Sequence, residues 1–191
     1  EESVDLGCVV FAGSVIFACG RVDGDLDIVD LADPTNPVLL SEYPLRGPAK
    51  GVAISGSRLY VSYNDPGFAK PAIEVVDISN LAMPAFISRR ALDAAGAGPL
   101  SVSGNLLAVA SVSGSEYWGA ILLVNVSDPT MPRVEGAYHP NGEIHAASLS
   151  GVSLQVVESH YDGHAYLTVV DVSVPGDPAP IGVVDLGRGY G

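Results

Sequence analysis

The sequence is poor in positive charge: two lysines and seven arginines stand against 22 acidic residues, for a net charge of −13. Nucleic acid and anionic membrane surfaces would repel such a chain, so neither is expected as a partner. No apolar run approaches the roughly 18 residues that span a bilayer. The longest, GCVVFAGSVIFACG, is broken by Ala-Gly-Ser and reads as a hairpin. A charged-then-apolar leader is also missing, and the first residue is Glu1. The chain therefore reads as a processed secreted protein or as a section of a longer one. There is no phosphate-binding glycine loop, no CxxC pair and no haem-attachment CxxCH. The serines of GSVIF, GSRLY and GSEYW lie in turns without a nucleophile-elbow pattern, so no Ser–His–Asp reading is supported.

Cysteine is scarce too, at two residues. If Gly13 and Ser14 form a two-residue hairpin loop, positions whose numbers sum to 27 face each other, and Cys8 and Cys19 meet that condition. A disulfide between them requires suitable Cβ geometry and would suit an extracytoplasmic setting. Two buried thiols packed as small hydrophobes are the alternative.

Glycine and proline, by contrast, are plentiful, at 22 and 14 residues, and 48% hydrophobic content excludes a disordered chain. Their placement is periodic. IVDLADPTNPV returns as VVDISNLAMPA, LVNVSDPTMPR and VVDVSVPGDPA. The anchors Asp30, Asp77, Asn125 and Asp171 are 47, 48 and 46 residues apart, and each is followed seven residues later by proline. An Asp or Asn at a strand end accepts backbone N–H groups just downstream, and the prolines then hold the connection extended. These four anchors are read as structural. Ahead of each lies a Gly-centred hairpin: VVFAGSVIFAC, VAISGSRLYVS, LSVSGNLLAVA and ASLSGVSLQVV.

Each unit thus holds four short strands, A to D, with A to C apolar enough to be buried on both faces. Repeated four-stranded units of this size predict an all-β fold, a β-propeller of four four-stranded blades. One domain spans residues 1–191, with blades near 3–44, 49–92, 99–138 and 145–186. A closed four-bladed ring is the expectation, and a fragment of a larger propeller is the alternative. The IVD-x-x-D-P-x-x-P segment and its preceding hairpin resemble the LVIVD repeat over essentially the whole chain. The fourth unit departs from it, with Val174-Pro175-Gly176 in place of Asp-Pro-Thr. The resemblance implies propeller blades and a secreted or surface-attached protein, and it implies no activity.

Up-and-down strand order places the D–A links and B–C loops at one end, where propellers carry function. Four histidines gather in those segments. His139 and His145 flank the link HPNGEIH, and His160 and His164 bracket the loop HYDGH. With Glu143 and Asp162 they form a candidate ligand set for zinc or another divalent metal. Asp23 and Asp25 in RVDGDLD make a candidate calcium contact, without the spacing of an EF-hand. Tyr117 and Trp118, with Tyr63, Phe68 and Tyr161 in comparable loops, are candidates for binding a partner or a sugar.

The function expected is that of a non-enzymatic, extracytoplasmic scaffold that binds a protein or a surface polymer. Two other classes stand beside it: a metal-binding or metal-dependent enzyme using the histidines, and a carbohydrate-binding module using the aromatic loops. Exposed strand D edges need protection, and assembly into a larger complex would supply it.

Overall fold

The computed structural model describes residues 6–20, 25–111 and 119–188. They contain sixteen strands and no helix. Blade 1 comprises β1 (Leu6–Ala12), β2 (Val15–Gly20), β3 (Asp25–Asp30) and β4 (Val38–Pro44). Blade 2 comprises β5 (Ala49–Ser55), β6 (Arg58–Asp65), β7 (Lys70–Asp77) and β8 (Ala85–Ala91). Blade 3 comprises β9 (Ala97–Ser103), β10 (Leu106–Ser111), β11 (Ala120–Asn125) and β12 (Arg133–Tyr138). Blade 4 comprises β13 (Glu143–Ser150), β14 (Ser153–Ser159), β15 (His164–Asp171) and β16 (Ala179–Arg188). Each blade is an antiparallel meander in chain order.

The repeated glycines do what the hairpin pattern requires. Gly13, Gly56, Gly104 and Gly151 all have φ near +60°, a conformation that a Cβ disfavours. The residue after each is not left-handed, so these are turns with glycine in the first loop position. The tail of every C strand is tied to the same turn. Leu31, Ile78, Val126 and Val172 donate their N–H groups to the carbonyls of Ser14, Ser57, Asn105 and Val152.

The anchors close Asx turns. Oδ1 of Asp30, Asp77, Asn125 and Asp171 accepts the N–H two residues on, at 2.8, 2.8, 2.9 and 2.8 Å. A second cap follows in three blades, where Asp33, Asn80 and Asp128 accept the N–H groups of Thr35, Ala82 and Thr130. Blade 4 has Val174 at that place. Its turn still forms through the backbone, with Asp177 N–H on the Val174 carbonyl as in the other blades.

The Ser79 N–H holds the Asp77 carboxyl below the usual range, and the Ser173 N–H does the same for Asp171. A carboxyl lowered by folding contributes stability that is complete above its ordinary value and is lost as pH falls through the folded value. Asp77→Ala is therefore expected to lower the melting temperature at neutral pH. Asp77→Asn copies Asn125 and should hold it, with a shallower loss of melting temperature from roughly pH 5 down to pH 2. Calorimetry across that range reads both effects.

Blades stack face to face. One core joins blades 1 and 2 through Phe17, Leu26 and Ile28 against Leu59, Val61 and Val76. A second joins blades 2 and 3 through Tyr60, Ile73 and Val75 against Leu107, Val109 and Val124. A third joins blades 3 and 4 through Ile121, Leu123 and Tyr138 against Leu154, Val156 and Val170. The inner strands pack in sequence, β1 on β5, β5 on β9 and β9 on β13. This approach is close: a Cβ on Gly51 of β5 would lie 2.7 Å from the backbone of Pro99 and Leu100 in β9.

Among the described residues the expected ring does not close. Among the described residues β13 has no comparable packing on β1, and no core joins blade 4 to blade 1. Four blades make an open arc. Burial records the ends of that arc. The middle strands β6 and β10 are buried in nearly continuous runs, as expected of strands covered on both faces, whereas β2 and β14 alternate.

Candidate functional site

The B–C loops of blades 2 and 4 lie on the same face of the arc, and each is held by a carboxylate. In blade 2, the B strand runs into Asn64-Asp65-Pro66-Gly67, a sequence that favours a turn. Asp65 is 1% exposed. Its Oδ1 accepts the N–H groups of Gly67 (2.7 Å) and Phe68 (3.3 Å). Its Oδ2 lies 2.8 Å from Nη1 of Arg89, on β8. The Arg89 guanidinium in turn sits 4.7 Å from the centre of the Phe68 ring. Asp65, Arg89 and Phe68 therefore lock the loop as a unit. A cleft of about 220 Å³ beside it is lined by Asn64, Asp65, Pro66, Ala69, Lys70 and Pro71. That volume is below the range of roughly 300–1,000 Å³ typical of small-molecule pockets.

Beneath the loop lies a buried acid. Glu74 interrupts the apolar run of β7 and is 2% exposed. It accepts hydroxyl hydrogen bonds from Tyr63 (2.6 Å) and, across the blade interface, from Tyr43 (2.7 Å). Burial, then the bond to Glu74, pushes both phenols above their ordinary value. Tyr63, expected in a loop, is thus an interior residue at 0% exposure, because β6 extends to Asp65.

In blade 4, Asp162 closes the loop. It accepts the His164 N–H at 2.8 Å and the Tyr166 hydroxyl at 2.8 Å, which hold its carboxyl low. The Tyr166 ring lies between two imidazoles, with centroids 4.3 Å from His160 and 6.3 Å from His164. His164 Nδ1 is 2.9 Å from Asp185 of β16, and His160 Nε2 is 3.3 Å from Glu158, itself 1% exposed. Asp185 is held low first by the Gly187 N–H and then by His164. Tyr161 stands out from this loop at 76% exposure.

The candidate metal set is only partly brought together. The link that carries His139 packs on the HYDGH loop, since a Cβ on Gly142 would meet the His160 ring at 2.7 Å. His139 and Glu143 are exposed, and His145 Nε2 is paired with Ser159 Oγ at 2.7 Å. Among the described residues, no three His, Cys, Asp or Glu side chains converge as metal ligands. His160, Asp162 and His164 face Glu158, Tyr166 and Asp185 instead. Asp25 opens β3, while Asp23, Tyr117 and Trp118 lie outside the described residues. Cys8 and Cys19 stand opposite each other as the hairpin register requires, and both are free thiols. The Cys19 thiol is pushed up by its hydrogen bond with Cys8 and by burial.

Sequence reasoning missed Asp65, Arg89, Glu74, Tyr166 and Asp185. Two signals were available: an Asp before Pro-Gly at a strand end, and a lone Glu inside AIEVV.

Comparison with known proteins agrees with the architecture. The family described as LVIVD repeat matches residues 18–44, 46–90 and 161–185. No curated protein matches the chain. Among solved structures, a functionally unknown protein from Desulfotomaculum acetoxidans is similar with a TM-score of 0.73 at 10% identity, covering 98% of this chain and 57% of its own. The β-propeller domain of Cps50 (Swd1) from Myceliophteria thermophila has a TM-score of 0.68 at 16% identity, over 99% and 57%. The computationally designed Ika4 protein has a TM-score of 0.61 at 12% identity, over 95% and 94%. At such identities the likeness carries the fold alone. The chain spans a little over half the length of the first two.

Proposed function

This chain belongs to the LVIVD-repeat family, and from that premise we propose that it is a non-enzymatic, extracytoplasmic scaffold. Its B–C loop end would bind a protein or a surface polymer. The observation that carries the reading is the pair of aromatic side chains held outward on rigid blades: Phe68 is 41% and Tyr161 76% exposed. An aromatic ring on a fixed loop presents a large apolar area at little entropic cost, which favours recognition of a partner surface. The adjoining cleft is small for a substrate pocket, and a broad contact suits it better. Placement outside the cytoplasm rests on the family.

The test compares the chain with its Phe68→Ala/Tyr161→Ala variant, both immobilised. Each is exposed to cell-surface polysaccharide and to the secreted protein fraction of the encoding organism. Binding that the variant loses while keeping its melting temperature supports the reading. Equal capture by both would remove the loop end from it. One equivalent of zinc retained through dialysis, and lost in His160→Ala, would replace it with the metal-site alternative.

A further inference from the structure

We propose that a second copy of this chain docks head to tail on the two open ends of the arc and closes an eight-bladed ring. The register of the end blades leaves two matching faces uncovered. In blade 1, Phe11, Ile16, Val29 and Leu39 face one another across the four strands and so lie on one face. The matching row in blade 2 is Ile54, Leu59, Val76 and Phe86, whose first three members form the core against blade 1. Among the described residues, blade 1 therefore carries a complete receiving face with no blade on it. Phe11 is 62% and Leu39 53% exposed.

The other end carries the complement. Cys8, Cys19, Leu26 and Tyr43 form a row of blade 1 that packs on blade 2. The same row of blade 4 is Ala146, Val157, Leu167 and Val184. Among the described residues no core joins this row to another blade, and Val184 is 55% exposed. Apolar side chains on both faces of a strand belong to strands covered on both faces. β2 reads VIFACG and β14 SLQVVES, yet only alternate residues are buried.

One chain thus holds both halves of a joint that it makes three times internally and cannot make with itself. A head-to-tail joint closes into a ring when its rotations complete a circle. Four steps do not complete it here. Eight remain within the four to eight blades that propellers use. The closing joint differs in one respect from the joint between blades 1 and 2, where Tyr43 bonds to Glu74. Asp27 holds the place of Glu74, and Val184 the place of the tyrosine that would serve it.

Sedimentation equilibrium of the chain tests this. The unsubstituted protein is expected as a dimer. Phe11→Glu and Val184→Asp, both at exposed positions, should each give a folded monomer. Their equimolar mixture should return to a dimer, because it restores one joint with two intact faces. A wild-type chain that stays monomeric across the accessible concentrations would overturn the proposal and leave the ends to blades of another chain. A dimer that survives both substitutions, or a mixture that stays monomeric, would overturn it equally. Val9→Glu, at a 54% exposed position on the same side of β1, replaces Phe11→Glu should that variant fail to fold.

Discussion

Replacing Arg89 with leucine is expected to cost about 3–5 kcal/mol of folding stability, because it strands the Asp65 carboxylate. Asp65 is 1% exposed, and the guanidinium at 2.8 Å is the charge that compensates it. The guanidinium also backs the Phe68 ring at 4.7 Å, so the loop should loosen at the same time. Urea denaturation reads the first effect, and faster amide exchange at Gly67 and Phe68 reads the second. Arg89→Leu combined with Asp65→Asn should recover part of the loss, since no buried charge is then left alone. An unchanged denaturation midpoint in Arg89→Leu would mean that water reaches Asp65 and that the loop is not locked as described.

Glu74→Ala is the second large effect, at about 2–6 kcal/mol. It leaves two buried hydroxyls, those of Tyr43 and Tyr63, without the acceptor that both use, and each orphaned group costs about 1–3 kcal/mol. Tyr43 comes from blade 1 and Glu74 from blade 2, so the loss falls on the joint between blades. Tyr43→Phe alone should cost far less, since Glu74 keeps its bond to Tyr63. The triple variant Glu74→Leu/Tyr43→Phe/Tyr63→Phe should be more stable than Glu74→Ala, because it leaves neither hydroxyl without its acceptor. Glu74 and Arg89 are cross-strand partners, so the Glu74 and Arg89 substitutions should not add.

The repeat was legible because it is local. Asx turns, left-handed glycines and prolines act within a few residues, so four anchors and four glycines placed the strands, turns and hairpin register. Cys8 opposite Cys19 followed from the loop length alone. Ring closure was not legible, because it depends on the angle between blades, which no short motif encodes. Valines and isoleucines on both faces of β2 and β14 suit a closed ring and an open arc with a partner equally well. The candidate site was legible as a place and not as chemistry. HYDGH and HPNGEIH do adjoin, but hydrogen bonds from other strands decide where the rings point. Tyr63 read as a loop residue because the end of β6 is set by its ladder with β7, which the sequence does not display. Asp65 and Glu74 went unread because each needs a partner from a distant strand, Arg89 and Tyr43.

The most direct test of the open arc is small-angle X-ray scattering of the untagged chain as it leaves a sizing column, which gives mass and shape together. Two arcs joined end to end give twice the chain mass of 19.6 kDa and the profile of a ring with a central channel. A particle of single-chain mass that fits a closed four-bladed ring would contradict it.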